Sequence, residues 1–356
     1  MARHVASRIS PFQPFSGILC ASSPPSADGN LLKPVSANGA AASKRRAIRP
    51  YDACCVSERP EGRQAAFTKR VSAVFLMVLS LAAMPFESRS SGPDVSFSSD
   101  AMVRGGLILF RVQGCESDDI QVVWMEKEIP LARDRDGTLL QGFLAADLNR
   151  KPGVYPVAVR DPSSGLERFF ELRVNDRNYG ARNIRLPRAK VELDEASLRR
   201  VKAEALAVNA LWNAECRPPE WEGSFWMPVN NKIVGAFGQR SIINKKKRLP
   251  HTGVDIRGKT GSPVRASNSG TVVLAADHFF TGKSVYVDHG SCIFSMYFHL
   301  DQIRVEEGEQ IEKGRILGSV GATGRATGPH LHWGVQINGA RVNPLTLIEL
   351  SRELDP

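Results

Sequence analysis

Six of the seven histidines in this 356-residue chain fall between residues 251 and 332: His251, His278, His289, His299, His330 and His332. Imidazole exchanges protons near neutral pH and ligates transition metals, so such a cluster is where chemistry is sought first. His251-Thr-Gly-Val-Asp255 places an imidazole and a carboxylate four residues apart, and His330-Leu-His332 puts two imidazoles at a spacing of two. In a strand, residues i and i+2 share a face, so His330 and His332 would look into one site. Two ring nitrogens and a carboxylate around an open fourth position make a catalytic zinc environment; a structural site is closed by four protein ligands. Each piece alone is weak, since an isolated His-x-x-x-Asp is by chance more often surface or core decoration. Their combination inside one glycine-rich segment of ~80 residues is far more specific.

Other residues in this segment read less sharply. His299, in Tyr297-Phe-His-Leu300, is either a packed core histidine or a partner of the cluster. His289, in Asp288-His-Gly290, reads as a strand end entering a turn. The glycines from 321 to 328 are followed by no Gly-Lys-Ser/Thr, so they form no phosphate loop; they let the chain turn tightly and approach a ligand. Lys245-Lys-Lys-Arg248 reads as a solvated loop, with attraction to an anionic polymer as the sharper alternative. The six cysteines include no Cys-x-x-Cys pair, which argues against a thiolate metal site. Cys216 and Cys292 are either free, buried thiols or a pair formed in an oxidising compartment.

The elements that must position these side chains are mostly strands. From Asp94 to Val174, apolar stretches such as Leu107–Val112, Ile120–Trp124, Val154–Val159 and Phe169–Val174 alternate with turn clusters at Asp134–Gly137, Lys151–Gly153 and Asp161–Gly165. Strands of this length and spacing predict an immunoglobulin-like β-sandwich over 93–176, with a spacing or binding role. Residues 177–222 read as a linker, basic and irregular over 181–191, followed by a helix starting at Asp194. Leu198, Val201, Ala205, Val208 and Leu211 form its apolar stripe, which should pack along one of the domains. Residues 223–350 hold the histidine cluster.

The N-terminal part differs in kind. Residues 1–68, rich in Ser, Pro, Ala, Gly and Arg, have no sustained apolar period and read as a disordered leader or a mis-assigned start. Lys69-Arg70 then precedes an uncharged apolar run, Val71–Met84, too short for a comfortable membrane span but suited to a secretory signal within 69–92; an uncleaved membrane anchor is the alternative. The run therefore predicts export. The formal charge of +10 is concentrated here, with 11 Lys/Arg and 4 Asp/Glu in residues 1–70 against 36 and 33 in the rest. The nearly neutral remainder argues against a basic nucleic-acid face.

Phe225–Val229, Phe237–Arg240, His251–Asp255, Ser262–Ser267, Gly270–Val273, Val287–Gly290, Tyr297–Leu300 and Gly321–His332 run in the order seen in the lysostaphin/LytM-type zinc peptidases, and the chain resembles that family over about residues 223–348. The resemblance implies a small antiparallel β peptidase domain with a narrow groove, a Zn2+ ion held by His251, Asp255 and His332, and two catalytic histidines, His299 and His330, whose roles it does not divide. It implies hydrolysis of peptide cross-links in bacterial peptidoglycan and, together with export, a location in the periplasm or cell envelope of a bacterium. Ser291–Met296 departs from the pattern, replacing a more polar, glycine-rich turn. Two other functions are weighed: a non-catalytic module of the same fold that binds or activates another cell-wall hydrolase, and a peptidase for glycine-rich protein segments. Relatives of the non-catalytic kind lack some of the five residues, all of which are present here. A cell-envelope protein is a further expected partner, through the β-sandwich.

Overall fold

The period-two patterning of residues 94–175 folds into two facing sheets. The computed structural model of the chain describes residues 93–354 apart from 115–118, 135 and 246, so the leader over 1–68 and the signal or anchor run over 71–84 lie outside the described residues. Nine strands come first: β1 (Asp94–Phe97), β2 (Ala101–Val103), β3 (Leu107–Gln113), β4 (Gln121–Trp124), β5 (Lys127–Glu128), β6 (Ala132–Arg133), β7 (Leu139–Ala145), β8 (Gly153–Asp161) and β9 (Leu166–Asn175). They form a β1-β3-β7-β6 sheet and a β2-β9-β8-β4-β5 sheet, all pairs antiparallel except β2–β9. Ile108, Phe110 and Val112 on one face of β3 meet Val122, Trp124, Val157 and Leu172 in the shared core. The Asp134 and Asp161 carboxylates accept backbone N–H groups in the turns that bear them, as the turn chemistry predicts.

The opposite face of the first sheet is buried too. Leu107 and Leu109, with Phe143 and Ala145 of β7, belong to the core of the C-terminal body rather than that of the sandwich. A strand buried on both faces reads as a continuous apolar run, which is what Leu107–Phe110 is. Across this contact Arg341 donates from Nε and Nη2 to the Asp147 carboxylate at 2.9 and 2.8 Å. The Asn343 amide donates to the Gly105 carbonyl at 2.8 Å.

Residues 181–191 depart from the expected irregular linker, because Ala181–Ile184 is a strand, β10. Helix α1 (Glu195–Trp212) follows, capped by the Asp194 carboxylate accepting from the Ser197 amide at 2.8 Å. Its stripe packs less closely than expected: none of its residues is buried, Val201, Val208 and Leu211 being half-buried and Leu198 43% exposed. Polar bonds tether it instead, from Arg200 to the Asp277 carbonyl and from the Phe279 amide to Glu204, while Trp212 packs edge-on against Phe294.

The C-terminal body is built from β11 (Ile233–Gly235), β12 (Arg240–Ile243), β13 (Lys247–Pro250), β14 (Gly253–Arg257), β15 (Pro263–Arg265), β16 (Gly270–His278), β17 (Gly282–Asp288), β18 (Ile293–Ile303), β19 (Gln310–Ile311), β20 (Ile316–Val320), β21 (His330–Ile337), β22 (Ala340–Val342) and helix α2 (Pro344–Ser351). Its main path is β11-β14-β21-β18-β17-β16-β19, antiparallel throughout, and β10-β12-β13 form a separate sheet in which β10 runs parallel to β12. Lys245–Arg248 is therefore no plain loop: Asn244 and Lys245 turn with positive φ, and β13 begins at Lys247. Cys216 and Cys292 form a disulfide, which decides between the two readings of these thiols. Among the described residues no helix is long and apolar enough to cross a membrane.

Candidate metal centre

The sheet assembles the cluster by register. On β14 and β21, Asp255 pairs with His332 and Arg257 with His330; on the other side of β21, His332 faces Phe298 of β18. Cross-strand partners sit about 5 Å apart at Cβ, within reach of short side chains. His332 and His330 lie on the face opposite the buried Leu331 and Trp333, as the spacing of two requires. The Phe298 ring stacks on the His332 imidazole with an interplanar angle of 5° and fixes its plane.

His251 enters just ahead of β14. Its Nδ1 donates to the Ala236 carbonyl at 2.8 Å, leaving the Nε2 lone pair free. That Nε2 lies 2.8 Å from Asp255 Oδ1 and 3.0 Å from His332 Nδ1, and the last two atoms are 2.9 Å apart. Three potential ligand atoms thus converge, and with the His251 proton spent on Ala236 the neutral imidazoles have at most one proton, on His332 Nδ1, for the three sides of that triangle. A cation bound by all three would satisfy them together. Among the described residues this is the one group of histidines, cysteines and carboxylates close enough to hold a metal ion. The chemistry of the donor set, two nitrogens and one carboxylate oxygen, fits zinc with a position left for water.

Burial alone would raise the Asp255 carboxyl, but the imidazoles of His251 and His332 hold it far below the usual carboxylate range. Its other oxygen, Oδ2, accepts from Arg182 Nη2 at 2.9 Å, and Arg182 Nε donates to Ser241 Oγ at 3.2 Å. Arg182 belongs to β10, so the supposed linker reaches the heart of the site. Gly235 makes room: a Cβ there would lie 2.2 Å from Asp255 Oδ2 and 2.5 Å from the Arg182 guanidinium.

His299 and His330 stand beside the triangle. The His299 Nδ1 donates to the Thr323 carbonyl at 2.9 Å and the His330 Nδ1 to the Gly328 carbonyl at 2.7 Å, so each keeps Nε2 as an acceptor. His330 Nε2 is 3.7 Å from Asp255 Oδ1, and the His299 and His330 ring centroids are 5.0 Å apart. Strict alternation would send His299 to the core face with Tyr297. A bulge prevents this: Tyr297 pairs with Val285 but Leu300 pairs with Lys283, giving β18 one extra residue, and His299 takes a φ of 64°. Left-handed backbone at a non-glycine costs of order 1–3 kcal/mol and persists only where surrounding structure holds it. Burial pushes the His299 imidazole down to about 3, so the ring is neutral at physiological pH.

These groups open into a cavity of about 610 Å3 whose walls also carry Phe280, Phe298, Arg325 and residues 182–186. His289 does not line it. That ring is fully buried, its Nδ1 donating to the Ser269 carbonyl and its Nε2 meeting the Ser295 hydroxyl, each at 2.7 Å. Arg182 and Arg325 were not singled out by the sequence; one lies in a basic stretch and the other in a glycine run, and neither spacing marks it.

Fold and site together define a metallopeptidase-type centre: a β groove with a His–Asp–His cluster and two further histidines. Residues 249–344 match the model of Peptidase family M23. A Pseudomonas aeruginosa protein assigned to peptidase M23, known from a crystal structure, is 30% identical with a TM-score of 0.56; the match covers 69% of this chain and 94% of that one. The chain belongs to peptidase family M23. Over a shorter stretch it is 37% identical across 121 residues to the Vibrio cholerae peptidoglycan DD-endopeptidase ShyA, covering 33% of this chain and 28% of the relative. It is 38% identical across 126 residues to the Neisseria meningitidis DD-carboxypeptidase/endopeptidase Mpg, covering 35% and 29%. The chain thus spans under a third of the length of these curated relatives, whereas the P. aeruginosa match extends well beyond the family-model region.

Proposed function

We propose that this protein is a zinc endopeptidase that hydrolyses peptide cross-links of bacterial peptidoglycan, with His251, Asp255 and His332 as metal ligands and His299 and His330 as catalytic histidines. The observation that carries the reading is the convergence of three potential ligand atoms within 3.0 Å beside two imidazoles whose Nε2 atoms are left free. Zinc, when bound, lowers the pKa of a coordinated water to about 7 and polarises a peptide carbonyl. The chain's own residues supply the rest. The Nε2 atoms of His299 and His330 accept a proton from the attacking water; an imidazole so charged can donate to the developing oxyanion or the departing amine. The backbone carbonyls of Thr323 and Gly328 hold both rings in the required tautomer.

Similarity to peptidoglycan DD-endopeptidases supports the substrate, and such a substrate requires export. The Cys216–Cys292 disulfide accords with an oxidising compartment. In this reading 69–92 directs export, 93–176 and 223–350 are the sandwich and peptidase domains, and the sandwich face remote from the peptidase contacts wall or envelope protein. Incubating the protein with purified sacculi should release soluble peptide-bearing fragments, release should stop with a chelator and resume on adding zinc, and His332→Ala should abolish it. Absence of release under all conditions, with a folded protein, would leave the non-catalytic module as the better reading.

A further inference from the structure

The cavity around the candidate metal centre also holds Arg325, for which the described residues offer no counter-charge. Arg325 lies on the segment between β20 and β21; its backbone amide donates to the Phe280 carbonyl at 2.8 Å. Its guanidinium carbon sits 4.2 Å from the centre of the Phe280 ring, a contact that fixes the plane of the group while leaving its hydrogen-bonding edge free. Among the described residues no carboxylate, carbonyl or hydroxyl receives that guanidinium, and burial alone pushes its pKa down, with no acid nearby to oppose the shift. Within the same cavity Arg182 differs, being bonded to Asp255.

The charge census of the cavity agrees. Arg182, Arg185 and Arg325 line it, against a single carboxylate, Asp255, whose oxygens already face Arg182 and two imidazoles. A half-buried guanidinium with unspent donors is costly until an anion meets it, and its planar fork matches a carboxylate in a bidentate pair. A neutral peptide amide would occupy the place without balancing the charge.

We propose that Arg325 is a carboxylate-binding subsite, so that the preferred substrate is a peptide carrying a free carboxylate near the bond to be cut. This rests on the peptidase reading above and adds the chemical class that the groove selects. Phe280 acts with it as a positioning residue that holds the fork edge-on to the cavity.

Two preparations of purified sacculi serve as probes, one with native carboxylates and one with those groups converted to carboxamides by carbodiimide and ammonia. The wild-type protein should release fragments from the native preparation about tenfold faster or more, the range expected for one charge-assisted contact. Arg325→Gln should lose most of its rate on native sacculi and little on amidated ones, bringing the ratio close to one. Arg325→Lys keeps the charge without the fork and should fall between. Arg173→Gln, an exposed change on the sandwich, should keep the wild-type preference and so exclude a general charge effect. Equal wild-type rates on both preparations, or an unchanged preference in folded Arg325→Gln and Arg325→Lys, would overturn the subsite while leaving the peptidase reading standing. No release from either preparation would remove both.

Discussion

Imidazole tautomers decide what this site can do. His251, His299 and His330 each donate the Nδ1–H to a backbone carbonyl, so three Nε2 lone pairs are presented inward; His332 alone presents Nδ1. His289 is the contrasting case, a histidine kept neutral by burial at about 4 against an ordinary value of ~6.5. Because its folded pKa is depressed, its contribution to stability is fully present above pH ~6.5. It is lost as pH falls toward 4, where the unfolded chain takes up a proton that the folded core refuses, about 3 kcal/mol in all. Urea unfolding at pH 7.5 and 4.5 should show His289→Gln less stable at the higher pH but losing less on acidification. Parallel losses in variant and wild type would show that the proton goes elsewhere.

At the scale of elements, two departures from regular patterning build the centre. The bulge in β18 turns His299 out of the core face, and β10 lays Arg182 against the outer oxygen of Asp255. The strap carrying Arg182 is pinned further on by Asn244, whose side-chain amide both donates to and accepts from the Leu186 backbone at 2.9 Å. Removing a partner that orients a metal-binding carboxylate commonly weakens binding 10–100-fold. Arg182→Met should therefore bind zinc correspondingly less tightly in competition with a chromogenic chelator, with Arg182→Lys intermediate. A dissociation constant equal to that of the wild type would show the ion pair to be a spectator. The strands themselves were readable from alternation and turn residues. The pairing of β10 was not, since four half-exposed residues with no apolar run carry no periodic signal and gain order only from β12.

The sandwich and the C-terminal body behave as one packed unit, joined through the second face of the β1-β3-β7-β6 sheet and the Asp147–Arg341 pair. Segment 217–221 is also fastened to the site-bearing sheet: the amides of Glu220 and Trp221 donate to the His289 carbonyl, and that of Ser291 donates to the Arg217 carbonyl. The Cys216–Cys292 bridge closes this attachment across a sequence separation of 76. Loop-closure entropy for a ring of that size corresponds to about 4 kcal/mol. Thermal unfolding with and without reductant should differ by roughly 10 °C for a protein of this size; coincident transitions would mean that the bridge constrains nothing.

Sequence by itself named the candidate residues of the site and the mainly β fold class. The His-x-His spacing, placed on a strand of period two, is local geometry and follows from chain order alone, whereas His251 lies just ahead of the strand that carries Asp255. What only the tertiary structure decided is everything that depends on residues distant in sequence: that Asp255 pairs with His332 across two strands, that Arg182 completes the carboxylate's bonding, that Cys216 meets Cys292, and that the stripe of α1 is at most half-buried. The reason is physical. Register between strands and burial between layers are set by the joint packing of many side chains, so no single segment encodes them.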